Sequence, residues 1–373
     1  MSGETIGSSD ELVAGPAVYS PDCGAYLIVN PRAGRQKLHS RVVQLQSHLA
    51  RALNVDHVPV YFTHGAWDAP NIASDLIARS PRALIAVAAG DGTISEVAHA
   101  LVGSRARLLA LPYGSGNDLA RSLYRGHAHR PHQIIDAIAT GGLETYRVDT
   151  LRVRAPRYRL GRARQWRTNL DRYVINAVSI GLDSRVAAIA NSIQRRWPAL
   201  SNVSYFLGAA VAMVGRKPSA MQMGHSDPKG KWRNKARSYD LCAVCNASFY
   251  GGGFEPNRRG RLNDGIIDVY WSKPLKLEQI IRLVGRFKTG KPIDTRVLER
   301  YQGERFDFES LSNEPLVLTL DGEVAYVPKA YVQVVSHAVN VALPRVWGTP
   351  LGLRPGADDS ISNARIPGVS NAD

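Results

Sequence analysis

Cysteine is scarce, with Cys23, Cys242 and Cys245 the only three among 373 residues. That excludes a disulfide framework and fits a reducing compartment. Long apolar runs are missing too. The longest stretch without a formal charge, Trp197 to Gly215, is interrupted by Pro198, Ser201, Asn202 and Ser204, which makes it a poor membrane span. The opening residues MSGETIGSSDEL contain neither a basic nor an apolar region, so no secretory signal is expected and the chain reads as soluble and cytoplasmic. Negative charge is in deficit, 32 acidic against 47 basic side chains for a net +15. Such an excess points to an anionic partner, but its sign alone does not separate nucleic acid, anionic lipid and phosphorylated small molecules. Neither a G-x-x-x-x-G-K-[ST] loop nor a complete G-x-G-x-x-G occurs, which argues against a Walker-type ATPase and a standard dinucleotide dehydrogenase. No second Cys/His pair with zinc spacing follows Cys242-x-x-Cys245, and strand residues three apart point to opposite faces, so both thiols are assigned to packing.

A 44% hydrophobic and 21% charged composition is enough to build real cores. At roughly 150 residues per domain the length predicts about two of them. From Tyr26 to Leu143, short apolar runs alternate with helical periodicity, the pattern of strand-turn-helix units on a parallel sheet. The strands fall at Tyr26–Val29, Ala83–Ala89 and Arg107–Leu111. After Tyr146 the segments Asp149–Val153, Tyr173–Ile180, Tyr239–Ala247, Ile266–Trp271, Leu316–Leu320 and Tyr331–Ser336 are short and β-branched or alternating, which predicts antiparallel sheet. Helices are expected over about 184–195 and 203–214. The expected organisation is a flexible tail over 1–20, an α/β domain over 21–146, a β domain over 147–346 and a second tail over 347–373.

Three glycine-bearing turns lie where a strand hands over to a helix, and ligands of open α/β sheets collect there. Gly90 and Gly92 permit a sharp turn into a helix start whose unpaired N–H groups and dipole suit an anion. Thr93-Ile-Ser-Glu96 fits a capping box, which by itself explains that turn as a well-capped helix. Gly114-Ser-Gly-Asn-Asp118 repeats the strand-turn-helix logic. Asp91, Asp118, Asp264, Asp321 and Glu323 all fall in turns, where carboxylates can point into a cleft. Taken alone, Asp321-Gly-Glu323 reads as a plain hairpin turn between Leu316–Leu320 and Val324–Val327.

The motifs in combination are more specific. Asn30-Pro-Arg-Ala-Gly34, Gly90-Asp-Gly-Thr93, Leu111-Pro-Tyr-Gly-Ser-Gly-Asn-Asp118, Asn176-Ala-Val-Ser-Ile-Gly-Leu-Asp183, Gly251-Gly-Gly253, Leu262-Asn-Asp-Gly-Ile-Ile-Asp268 and Leu320-Asp-Gly-Glu323 occur in an order that resembles the diacylglycerol kinase catalytic family, over Tyr26 to Pro344. That family includes sphingosine and ceramide kinases and soluble bacterial lipid kinases. The resemblance implies an NAD-kinase-like α/β nucleotide-binding domain followed by a β-sandwich domain, with the active site in the interdomain cleft. It implies ATP and Mg²⁺ as cofactors. Asn30, Pro31, Arg32, Ala33, Gly34 and Thr63 would lie near the nucleotide; Ala89, Gly90, Asp91, Gly92, Thr93, Ile94 and Ser95 would pass under its phosphates. Ser115, Asn117 and Asp118 would complete that side. Asp264 looks like a magnesium carboxylate, flanked by Arg261 and Ile266. Asp321 and Glu323 look like the catalytic acidic pair, with Glu323 the first choice as proton acceptor. The family's first Gly of Gly-Gly-Asp-Gly-Thr is Ala89 here, and its small hydroxyl residue of the first turn is Ala33; neither change removes a charge.

Phosphoryl transfer asks for these residue types independently: donors and a metal for the spread negative charge, and a base for the acceptor alcohol. The implied function is therefore a lipid kinase of phospholipid metabolism that phosphorylates diacylglycerol, or a sphingoid or ceramide-type alcohol. An NAD kinase is the second enzyme reading, since Gly-Asp-Gly-Thr serves both groups. A basic membrane- or nucleic-acid-binding module is the third. No helix-turn-helix, zinc-finger or RNA-recognition signature supports nucleic acid. Eight arginines between Arg152 and Arg172 are expected to favour contact with the anionic inner face of a membrane. A core-facing helix and an acyl-chain pocket are equal readings of Tyr205–Met213, and a homo-oligomer is compatible with the sequence.

Overall fold

Strand and helix alternate through the first half because its apolar residues alternate between continuous runs and three-to-four spacing. A computed structural model describes residues 24–33, 38–127, 130–161, 163–182, 184–185, 189, 219–226, 231–289, 297–349 and 353. β1 (Ala25–Val29) leads through a 3₁₀ turn (Leu38–Arg41) into α1 (Val42–Leu53), followed by β2 (Val60–Phe62), α2 (Ala69–Arg79), β3 (Leu84–Ala89), α3 (Asp91–Leu101), β4 (Arg107–Pro112), α4 (Asp118–Leu123) and α5 (Pro131–Gly141). The strands pair in parallel in the order β2-β1-β3-β4. Every residue of β3 is buried, as in a strand covered on both faces. α1 turns Val42, Leu45, Leu49 and Leu53 inward.

The second half contains β5 (Leu143–Leu160), β6 (Arg167–Val174), β7 (Ala177–Gly181), β8 (Ser219–Ser226), β9 (Trp232–Tyr239), β10 (Leu241–Cys245), β11 (Ile267–Ser272), α6 (Leu277–Thr289), β12 (Leu298–Gly303), β13 (Arg305–Ser310), β14 (Leu316–Leu320), β15 (Glu323–Val327) and β16 (Lys329–Pro344). One antiparallel layer runs β6-β5-β16-β13-β8-β9, and the other β15-β14-β7-β10-β11-β12. Between them lies a core in which Val153, Met223, Phe306, Phe308 and Val332 meet Ile180, Val244, Trp271 and Leu318. The architecture is an α/β domain followed by a β-sandwich. Cys242 belongs to that second core and Cys245 is buried beside it on β10.

β5 and β16 belong to both halves, since the C-terminal part of β16 pairs in parallel with β4. Their shared ladder shifts register between Val335 and Val339, where His337 has φ 53. Asp149, fully buried on β5, accepts the His337 N–H at 2.7 Å and the Gly265 N–H at 2.7 Å. A carboxylate in the core is thus explained by amides that the bulge and the 262–266 turn leave without ladder partners.

Two expectations are corrected. Thr93 and Glu96 do not form a capping box: α3 begins at Asp91 with Gly90 as its cap and no side-chain cap bond, and both residues lie inside the helix. Tyr173–Ile180 is not one strand but the end of β6 and the start of β7. The helices expected over 184–195 and 203–214 lie outside the described residues except for 184, 185 and 189, and so does the 205–213 segment.

Candidate active site

The first turn of α3 organises the site. Gly90 and Gly114, each following a parallel strand, press backbone to backbone: a Cβ on Gly114 would stand 2.7 Å from the Gly90 Cα and 2.9 Å from Asn117 Oδ1. Only glycine fits there. Asp91 reaches across to the next turn, where its Oδ1 accepts the Leu119 N–H at 3.2 Å. Burial raises its pKa, opposed by the amides of Leu119, Asn117 and Asp118 and by Arg121. Asp118 in turn accepts the N–H groups of Gly252 at 2.7 Å and Gly253 at 2.6 Å. These amides converge because Gly251, Gly252 and Gly253 have φ of 66, 89 and 97, a run that side chains would strain. Burial, then the neighbouring Asp91, pushes Asp118 up to about 6. Asp91 and Asp118 therefore act as clasps, joining the Gly114–Asp118 turn to α3 and to the triple-glycine loop of the β half. Arg125 adds an ion pair to Glu255 and a bond to Ser248 at 3.1 Å.

The other residues expected at the nucleotide are distributed as follows. Asn30 donates from Nδ2 to Thr93 Oγ1 at 2.9 Å, tying the β1 turn to α3. In that turn the Arg32 N–H returns to Asn30 Oδ1 and the Ala33 N–H to Asn30 O, with Pro31 between them. The Thr63 N–H bonds to Val29 O at 2.9 Å and its side chain is buried. Ala89 and Ile94 are core residues, Ser115 is exposed, and Asn117 holds φ 56. Gly34 lies outside the described residues. A Cβ on Gly92 would meet nothing within 4 Å, and no side chain caps α3, so its first amides suit a polyphosphate.

On the opposite side stands the acidic turn between β14 and β15. Asp321 (φ 44) and Gly322 (φ 99) form a tight two-residue hairpin loop of the kind that Asp-Gly favours. Asp321 accepts the N–H groups of Ile175 at 2.9 Å, Asn176 at 3.1 Å and Ala177 at 3.1 Å, and the hydroxyl of Ser95 on α3. Burial raises it to about 6 against those four donors. This is why the chain breaks at Ile175-Asn176: the amides turn from the sheet to the carboxylate. Two residues on, Glu323 is half-buried and carries a raised pKa, from burial first, with Arg172 and the Trp67 side chain opposing. Glu96 on α3 is close enough that Glu323 raises its pKa, after burial and against the Trp67 main-chain N–H. The helix that starts at the glycine turn thus bonds to the acidic turn through Ser95.

The Leu262–Ile266 turn attaches at the β5/β16 bend. Ile266 N–H bonds to Asp264 Oδ1 at 3.2 Å, Gly265 to Asp149, and Arg261 is exposed. From here to Asp321 the connection runs through Asn246, whose Nδ2 bonds to Asp149 O at 2.8 Å and Ile175 O at 2.7 Å. Among the described residues no group of three His, Cys, Asp or Glu side chains is gathered to hold an ion. A hard cation at Asp264 fits only with main-chain oxygens and water completing its shell.

Sequence reasoning missed Trp67 and Arg172 beside Glu323, and it placed Glu96 in a cap. A tryptophan in the turn between β2 and α2 was the available signal.

Residues 24–152 match the diacylglycerol kinase catalytic domain and residues 176–343 the YegS C-terminal NAD kinase beta sandwich-like domain. The chain therefore belongs to the diacylglycerol kinase catalytic-domain family, and it is a kinase of lipid-kinase type. It is 24% identical over 332 residues to a diacylglycerol kinase of Bacillus subtilis, covering 86% of this chain and 96% of that protein. It is 23% identical over 280 residues to one of Mycobacterium tuberculosis, covering 75% and 82% respectively. A crystal structure of a diacylglycerol kinase from Bacillus anthracis superposes with TM-score 0.61 at 17% identity, over 87% of this chain and 98% of that one, which shows the shared fold. No described helix is long and apolar enough to cross a membrane.

Proposed function

We propose that this protein transfers the γ-phosphoryl group of ATP to the hydroxyl of a lipid alcohol, with diacylglycerol and phosphatidic acid as first substrate and product and sphingoid or ceramide-type alcohols next. One observation carries the reading: α3 presents its uncapped start after the glycine turns, and one turn later the same helix bonds through Ser95 to Asp321. A phosphate held at the first feature lies beside a carboxylate pair at the second. Residues 21–146 are then the nucleotide half and 147–346 the lipid half.

Roles follow from hydrogen bonding. Asp321 has four donors and serves as the anchor of its turn. Glu323, raised but less fully bonded, takes the proton of the lipid hydroxyl on a carboxylate oxygen as that hydroxyl oxygen bonds to the γ-phosphorus. The bond from phosphorus to the bridging oxygen breaks, and ADP leaves with the electron pair. Asp264, with Arg261 and Ile266 supplying main-chain groups, would hold Mg²⁺. That ion would supply neutralisation of phosphate charge when bound. The amides after Gly90 and Gly92, with Asn30, Thr63 and Ser115, hold the nucleotide.

The hairpin of β5 and β6 is proposed to contact an anionic leaflet. Its tip exposes Trp166, flanked by Arg157 at 5.4 Å and Arg159 at 5.7 Å from the ring. Between Ala155 and Leu170 there is no acidic residue. Tip and acidic turn are neighbours, since Gly161 N–H bonds to Val324 O at 2.8 Å. Incubation with labelled ATP, Mg²⁺ and a panel of lipid alcohols, with NAD in parallel, tests the reading. Label in a lipid phosphomonoester supports it, and label in NADP alone overturns it in favour of an NAD kinase.

A further inference from the structure

The outward face of the β6-β5-β16-β13-β8-β9 layer carries a recess that phosphoryl transfer does not use. Alternation along each strand sends Val153, Val332, Phe306 and Phe308 into the core and leaves Arg154, Tyr331, Gln333, Arg305 and Asp307 on the outer face. Strand register sets these five side by side. Arg154 stands opposite Tyr331, Tyr331 opposite Asp307, and Gln333 opposite Arg305. Neighbouring strands run about 4.8 Å apart, so the main chains of Arg154 and Asp307 lie about 10 Å from each other with Tyr331 between them. Together the five residues line a recess of about 250 Å³. Asp321 and Glu323 belong to a turn of the opposite layer, so the recess is separate from the candidate active site.

One wall of the recess is built by a glycine. Gly224 on β8 stands opposite Asp307, and a Cβ there would lie 2.6 Å from Trp232 Cζ2, so the missing side chain lets the indole lie across the strand. Trp232 Nε1 donates to Asn234 Oδ1 at 3.0 Å, and the Arg305 guanidinium lies 5.2 Å from the ring centroid. Nearby charges on the same layer are already paired: Arg152 makes two bonds to Asp171, at 2.9 and 2.6 Å, and Lys329 meets Glu309 at 3.0 Å. The lining of the recess is not. Among the described residues neither the Arg154 nor the Arg305 guanidinium makes a hydrogen bond or a close ion pair, and Asp307 Oδ1 is buried with no hydrogen-bond partner. A carboxylate oxygen shut away from water without a donor is costly, and a ligand that brings a donor removes that cost.

The lining sets the chemistry of such a ligand. Arg154 and Arg305 against Asp307 leave one net positive charge, which calls for an anion, and guanidinium forks match phosphate oxygens. Asp307 Oδ1 only accepts when ionised, so the same ligand must also carry a donor. An ammonium group would sit between two arginines, whereas a hydroxyl donates without adding charge. Gln333 supplies a neutral amide that donates or accepts. A recess of about 250 Å³ is below the range of about 300–1,000 Å³ usual for drug-sized ligands, which favours a small head group over a nucleotide. We propose that this recess binds a phosphate ester bearing a free hydroxyl, of glycerol phosphate chemistry, with the phosphate held by Arg154 and Arg305 and the hydroxyl donating to Asp307. The same chemistry is presented by free glycerol phosphate and by the head group of phosphatidylglycerol.

Calorimetry of the full chain in saturating ADP and Mg²⁺ tests the site with sn-glycerol 3-phosphate and with propyl phosphate, the same ester without hydroxyls. Saturable binding of glycerol 3-phosphate, about tenfold tighter than propyl phosphate, is the expected result. Arg154→Gln and Arg305→Gln should each weaken both ligands about tenfold or more. Asp307→Ala should erase the preference for the hydroxyl while propyl phosphate binds at least as tightly as before, a pattern that loss of folding does not produce. Vesicles of phosphatidylglycerol, beside phosphatidylserine vesicles of equal charge, separate the two sources. Sedimentation that favours phosphatidylglycerol and falls in the Arg154→Gln, Arg305→Gln double variant assigns the lipid head group; binding of the free ester with no preference between vesicles assigns the soluble one. No binding of the free ester together with equal sedimentation on both vesicles overturns the proposal. So does glycerol 3-phosphate binding that both Gln variants and Asp307→Ala leave unchanged.

Discussion

Ser95→Ala removes a single hydroxyl at the contact between the nucleotide helix and the acidic turn. In the native protein Asp321 accepts that hydroxyl and three main-chain N–H groups. Its pKa, pushed up to about 6 by burial, makes it mostly ionised at pH 8 and mostly protonated at pH 4.5. At pH 8 the lost bond is charge-assisted and its removal should cost about 1.5–3 kcal/mol. At pH 4.5 the acceptor is neutral and the cost should shrink to about 1 kcal/mol. Urea unfolding at both pH values, with Ser95→Ala, Asp321→Asn and the double mutant, isolates the pairwise term. A cost that is the same at both pH values, with additive single mutants, would refute the contact as the coupling between the two halves.

Gly114→Ala places a methyl 2.7 Å from the Gly90 Cα, so nucleotide affinity by calorimetry should fall at least tenfold; unchanged affinity contradicts the close packing of the two turns. Asp118 has a folded-state pKa of about 6 against 3.8 for an ordinary Asp, so the stability it contributes is fully present below about pH 4 and is lost as pH rises through 6. The difference in unfolding free energy between wild type and Asp118→Asn should therefore decline across that window; a constant difference contradicts it. Replacing Arg157, Arg164 and Arg167 by Gln should weaken sedimentation with anionic liposomes about a hundredfold, at about 1 kcal/mol per charge, and leave neutral liposomes unaffected.

The parallel half was legible in the sequence because β1, β3 and β4 are continuous apolar runs ended by glycine turns. β8 and β9 were not, since Ser219–Ser226 mixes small, polar and apolar residues without alternation and Trp232–Tyr239 is mostly exposed and polar. α2 and α5 were missed although each has proline in its first turn, a start signal that the strand-centred reading passed over. At the site, the turns identified themselves by glycine and carboxylate spacing. What each carboxylate does was hidden: Asp91 and Asp118 cap amides of loops 28 and 134–135 residues away in sequence, partners no local pattern encodes. Trp67 escaped for the same reason, because Arg172, which lies over its ring, is on a strand far along the chain.

The most direct measurement is single-turnover transfer from labelled ATP to a lipid alcohol by Glu323→Gln, with ATP binding measured on the same preparation. Transfer slowed by about a hundredfold or more, with ATP affinity unchanged, is the expected outcome. Transfer at the wild-type rate would mean that the acidic turn held by Ser95 is scaffolding, and that the proton leaves by another route.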